Sequence, residues 1–137
     1  MNVTADAVNA MLRDQFPGSA SRCIELGADF AVAEYEVEPG DIRPGGFVSG
    51  PTQFGLIDSA LWFVTFVALD RIEPMALTSE LSIRFLRPAQ GERVRCRARL
   101  ESVSRRSVVA TAHVWCDDRE HKPTATAQGT YALPFPG

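Results

Sequence analysis

Cysteine and histidine are scarce in this chain of 137 residues, which has three Cys and two His. Cys23, Cys96 and Cys116 are odd in number and widely spaced, and no Cys/His pair has the spacing of a metal motif. A disulfide framework and a structural metal site are therefore not what organises the fold. A reduced, cytoplasmic setting is the expectation that follows. Neither sign of charge dominates: 14 basic and 17 acidic residues leave a net charge of −3, so nothing global points to a nucleic-acid partner. The opening MNVTADAVNAMLRDQF lacks the basic start and apolar run of a secretory leader. A membrane span is not the expectation. The uninterrupted apolar part, Ala60 to Leu69, is about half of the roughly 20 residues a span needs. The length suits one domain, residues 1–137, with a real core.

What the chain does have is SGPTQFGLIDSALWFVTFVAL, Ser49 to Leu69, apolar almost all the way round and with Asp58 as its only charge. An all-round apolar helix is a buried helix. Gly50 suits its N-cap and Pro51 its first helical position, where the missing N–H would have no partner. Asp70 and Arg71 mark its end. A lone carboxylate in such a helix calls for an explanation.

The rest divides around it. Residues 4–16 predict a short amphipathic helix capped by Thr4, with Val8, Met11, Leu12 and Phe16 as its stripe and Pro17-Gly18 as its stop. Residues 23–26 and 28–37 predict two strands with a turn near Gly27, and 38–48, EPGDIRPGGFV, predicts a loop. Four strands joined by short turns come after the central helix. In the first, Leu77, Leu81, Ile83 and Phe85 fall on one face, and Thr78, Glu80, Ser82 and Arg84 on the other. The next alternates Val94, Cys96, Ala98 and Leu100 inward against Arg93, Arg95, Arg97 and Arg99. The third, 106–116, turns Val108, Ala110, Ala112 and Val114 inward, and the fourth, 123–133, does so with Ala125, Ala127, Gly129, Tyr131 and Leu133. Short turns make these strands antiparallel, and their small inner residues leave room for a helix close to the sheet. The expectation is an α+β domain with an antiparallel sheet curled around one helix.

That order of elements resembles the hotdog fold. The residues resemble its PaaI-type acyl-CoA thioesterases, named for the phenylacetate pathway. The family pattern is a His-Gly-Gly at the helix start, an acid eight residues after the first Gly, and a strand ending in a Phe-Leu-Arg-Pro-like run. Here these read Ser49-Gly50-Pro51, Asp58 in GLIDSA, and TSELSIRFLRPA from Thr78 to Ala89; Ser104-Arg105-Arg106 and the closing ATAQGTYALP also look like the family. The likeness covers about residues 40–134. It implies hydrolysis of an acyl-CoA to a carboxylic acid and coenzyme A, with no metal or redox cofactor, in a homodimer or a tetramer of two dimers whose active site is shared between subunits. Carried over residue by residue, it implies a catalytic set of Gly50, whose N–H meets the thioester carbonyl, Asp58 as base or nucleophile, and Thr78 as helper. Arg43 stands where the family often has Asn, Ser49 where it has His, and Pro51 where it has the second Gly.

Each residue also has a plainer reading. Asp58 could serve only to hold a loop or a partner subunit, Gly50 could be an ordinary cap, and Thr78 an ordinary strand residue. Arg43 could bind substrate or pair with Asp41 or Glu38. Arg84, Arg87, Arg105 and Arg106 could meet the phosphates of coenzyme A or simply face solvent. Trp62, Phe54 and Phe66 suit a bulky apolar acyl pocket or the core. His113, mid-strand, and His121, in a turn, fall outside the helix region. Two rival functions stay open: a non-catalytic acyl-CoA-binding protein, and a hotdog hydratase or dehydratase, against which the missing helix-start His counts.

Overall fold

The computed structural model describes residues 1–134. Helix α1 (Ala5–Gln15) starts at Thr4, whose side chain accepts from the Ala7 N–H. Val8, Met11 and Leu12 are buried, whereas Phe16 lies past the helix end and is exposed. Strands β1 (Arg22–Leu26) and β2 (Phe30–Glu36) follow. The segment read as a loop contains a one-turn 3₁₀ helix (Pro39–Asp41) and a two-stranded hairpin, β3 (Ile42–Arg43) with β4 (Phe47–Val48). Gly45 and Gly46 turn it at φ +100° and +83°, where a Cβ would be strained. Two-residue strands are too short to show alternation, which is why this hairpin escapes a sequence reading.

Helix α2 (Gly50–Leu69) fits the expected bounds, with one correction at its start. Ser49, not Gly50, is the N-cap: its Oγ accepts from the Thr52 N–H, and Gly50 is the first helical residue with Pro51 second. At the other end Asp70 takes the left-handed conformation (φ 52°) and its carboxylate accepts from Asn2 at 2.7 Å twice. By length and apolarity α2 could cross a bilayer, but its Leu56, Ile57, Leu61, Phe63, Val64 and Phe66 are fully buried against the sheet. Each such side chain contributes about 1.5–3 kcal/mol of burial energy.

Four long strands complete the sheet: β5 (Leu77–Phe85), β6 (Arg93–Val103), β7 (Ser107–Cys116) and β8 (Ala125–Ala132). The six-stranded order is β1-β2-β6-β7-β8-β5, antiparallel throughout, and it curls around α2 as in the hotdog fold. Val94, Cys96, Ala98, Val108, Ala110, Ala112, Val114 and Ala125 are buried beneath the helix, as their alternation requires. The outer face carries the arginines, but not all as free charges. Arg95 and Arg22 both bond the buried Glu34, at 2.9 and 2.8 Å. Burial alone would raise the Glu34 carboxyl; the two guanidinium groups outweigh it and hold the group below the usual range. Arg97 pairs with Glu120 at 2.8 Å, and Glu120 also meets His113. All three cysteines are buried and unbridged.

The helix lies close to the sheet at Gly129, where a larger residue would have to displace its neighbours. A Cβ there would sit 2.5 Å from Leu61 Cδ1 and 3.1 Å from the Glu80 carbonyl oxygen. Gly129→Ala is expected to destabilise the fold by about 1–3 kcal/mol, seen as a lower urea midpoint at unchanged slope. An unmoved midpoint would show that α2 has slack to yield.

One strand departs from simple alternation. Thr78 pairs with Tyr131 and Glu80 with Thr130, so Ser79 is an extra residue in β5, a bulge. It corrects the face assignment. Thr78 shares the helix-facing side with Leu81 and Ile83, whereas Leu77, read as inward, turns out and is 65% exposed.

Candidate functional site

The first half of the site is the start of α2. The Ser49 hydroxyl is used as the helix cap and lies 2.9 Å from the Thr52 hydroxyl, which donates to Asp41 Oδ1 at 2.9 Å. Asp41 Oδ2 accepts from Tyr35 at 2.6 Å and from the Glu38 N–H at 2.8 Å. This network ties the 38–48 segment to the helix start. It leaves Tyr35 raised to about 12, chiefly through its bond to Asp41 and then by burial. Asp41 itself feels burial first, which would raise it, but its three donors prevail and hold it low. The Gly50 N–H donates to no group among the described residues. Gly50 lines a cleft of about 590 Å³ together with Arg43, Phe47, Pro51, Phe85 and Arg87 among others. Phe85 closes over Gly50, with its ring 3.3 Å from where a Cβ would be. A helix N-terminus with an open N–H is a ready donor for a carbonyl oxygen gaining negative charge.

The second half is Asp58, half-buried on the one stripe of α2 that the sheet leaves uncovered, with Pro51, Phe54 and Gly55. Thr78 Oγ1 donates to Asp58 Oδ1 at 2.6 Å. The Tyr131 hydroxyl donates to the same Oδ1, also at 2.6 Å, and reaches the Asp58 carbonyl oxygen at 3.0 Å. Among the described residues, nothing bonds Oδ2. Burial, and then the bond to Asp58, push the Tyr131 phenol far up, with Thr78 opposing in part, so it stays protonated and a donor. The strand bulge is what brings Thr78 here. Tyr131 was missed as a site residue: in the sequence it is one more inward position of a strand, 73 residues from its partner.

The structure therefore brings Asp58 and Thr78 together, and separately Gly50, Pro51 and Arg43. Gly50 and Asp58 are eight residues apart on one helix, about 12 Å along its axis. Trp62, a turn beyond Asp58, packs edge-on against Phe16 and Phe66 at 6.2 and 5.4 Å; its Nε1 is buried without an acceptor among the described residues. Arg105 and Arg106 line another cleft, about 700 Å³, with Leu69, Arg71, Met75 and Leu133 at the far end of α2. That turn bonds next to β8 through the Leu133 N–H and the Arg106 carbonyl, so it lies on the Asp58 side rather than the Gly50 side.

A lone acid on the wrapped helix, an open helix start and this sheet order have a counterpart among known families. The model of the thioesterase superfamily matches residues 45–122, more than half of the chain. The chain belongs to the thioesterase superfamily. Among solved structures, this superfamily member is similar to a candidate thioesterase from Silicibacter sp. TM1040, with 28% identity and a TM-score of 0.83 over 96% of this chain and 92% of that one. It is also similar to a thioesterase family protein from Silicibacter pomeroyi, with 27% identity and a TM-score of 0.78 over 96% and 98%. The fold is shared with a mutant of the phenylacetic acid degradation protein PaaI from Thermus thermophilus, with 23% identity and a TM-score of 0.70 over 86% and 96%. None of the curated proteins matches the chain.

Proposed function

We propose that the protein is an acyl-CoA thioesterase. Membership in the superfamily supports thioester hydrolysis as the class of reaction. The observation that carries the finer reading is the half-buried Asp58, with one carboxylate oxygen loaded by two hydroxyls and the other open. With Asp58 as base, it takes a proton from water as the water oxygen bonds the carbonyl carbon. The Gly50 N–H receives the charge gathering on the carbonyl oxygen. The C–S bond then breaks and the thiolate leaves, taking up the proton. As nucleophile, Asp58 would bond the carbon itself and water would cleave the resulting anhydride.

The reading places Gly50 of one subunit against Asp58 of the next. Phe54, Leu77, Phe85 and Leu86 are 44–65% exposed on the bare stripe of α2 and along β5, whose outer edge has no partner strand among the described residues. Proteins cover such edges. Light scattering at micromolar concentration is expected to give a dimer or a tetramer; a clean monomer mass would count against a shared site. In this reading Arg105 and Arg106, in their cleft on the Asp58 side, suit the phosphates of coenzyme A.

The test is release of free thiol across short, medium, long and aromatic acyl-CoAs, with turnover of at least one class expected. A second reading, a non-catalytic acyl-CoA-binding protein, draws on Ser49, whose hydroxyl caps the helix, and on Arg43 in the cleft. Tight binding with no thiol release from any substrate would favour it.

A further inference from the structure

Thr78 and Tyr131 are directly opposed across the β5–β8 ladder, and both hydroxyls converge on one carboxylate oxygen. Both contacts, at 2.6 Å, fall in the range of short bonds from a neutral hydroxyl to an ionised oxygen. The two donors differ in freedom. Thr78 lies on an exposed edge strand, whereas Tyr131 is 5% exposed, and its ring is held between strand and helix. Its hydroxyl has one proton, shared between two oxygens of Asp58, with the Thr78 hydroxyl alongside. The rigid member of the pair is thus Tyr131.

We infer that Tyr131 is a positioning residue: with Thr78 it fixes the plane of the Asp58 carboxylate, occupies Oδ1, and assigns Oδ2 as the oxygen that meets water or the thioester. The inference rests on the reading of Asp58 as the reacting carboxylate. Tyr131 touches neither water nor substrate in this role. It acts by holding the carboxylate plane against rotation about the Cβ–Cγ bond, so that while one oxygen stays on the two hydroxyls the other keeps its direction toward the reacting carbon. A near-attack geometry needs the reacting oxygen held at contact distance from its target, so orientation acts on the rate rather than on binding.

Tyr131→Phe keeps the ring and removes only the hydroxyl. The expected result is a kcat lower by about tenfold, the scale of one charge-assisted hydrogen bond, with KM within about twofold of wild type. A merely structural hydroxyl would lower the melting temperature and leave the kcat of folded protein unchanged, and that outcome overturns the inference. A second measurement does not depend on this variant folding. The infrared difference between wild type and Asp58→Asn reads the carboxylate bands of Asp58. Two bonds on one oxygen should split its symmetric and antisymmetric stretches more widely than in a free carboxylate; the splitting of a free carboxylate overturns the inference. If Asp58→Asn abolishes turnover while Tyr131→Phe retains wild-type kcat, only this inference falls. If Asp58→Asn remains active, the thioesterase reading of Asp58 falls and takes the inference with it.

Discussion

Asp58→Asn is expected to lower turnover by roughly 10²-fold or more while fold and assembly survive. The substitution is close to isosteric, and the carbonyl oxygen of Asn can still accept from Thr78 and Tyr131, as Oδ1 does at 2.6 Å. The amide nitrogen then takes the open side. It has no lone pair to remove a proton from water or to attack a carbonyl carbon, so the chemistry stops where the packing does not. Steady-state thiol release gives the rate, and circular dichroism with light scattering shows that the protein is folded and assembled. A folded Asp58→Asn protein with near-normal turnover would sink the assignment.

Gly50→Pro removes the other half of the machinery by a different route. Proline has no N–H, so the proposed oxyanion donor is lost; because a Cβ on the residue before Pro51 disfavours the helical conformation, circular dichroism has to show the helix retained before the rate is read. The first helical position favours proline, and the preceding Ser49 already has ψ 155°, the extended conformation that a residue before proline adopts. The new ring meets the exposed side chain of Phe85, which can move. Loss of one such donor lowers kcat by about 10²–10³-fold elsewhere, and a fall of that size is expected here. The two variants together report where the site is built. Each is inactive alone. If Gly50 and Asp58 meet across a dimer, a mixed dimer has one intact site, and random re-pairing of equal amounts returns roughly a quarter of wild-type activity. Sites built within one chain recover nothing on mixing.

Much of this was legible in the sequence, for reasons that differ along the chain. Helix α2 is nearly all apolar and bounded by Ser-Gly-Pro, so its extent and burial follow from composition. Strands β6 and β7 alternate regularly over the residues beneath the helix, which fixes their inner faces. Asp58 stood out as a charge where none should be. What escaped depends on distance or on a single residue. The bond from Tyr131 to Asp58 spans 73 positions and leaves no local trace. The cap at Ser49 rather than Gly50 is a one-residue question that a Gly-Pro start does not decide. The small hairpin at Gly45-Gly46 is too short for a period. That Arg105 and Arg106 lie in a different cleft from Gly50 is a matter of which strand ends meet, and no motif reports it.

The bulge at Ser79 makes the site a matter of parity. Along an unbroken strand, odd and even positions keep their sides, so the frame set by Leu81 and Ile83 would put Leu77 under the helix and Thr78 in solvent. The extra residue changes the count once, and it does so between the hydroxyl that touches Asp58 and the core that anchors the strand. The information that places Thr78 is therefore held in the number of residues, not in their kind. A loss of one codon there would leave every residue of the proposed site in the gene and take one of them out of the site. Relatives of this chain are then best aligned through β5 by counting across the ladder from Tyr131 rather than along the strand, since a silent gap at Ser79 would pair a site residue with a surface one.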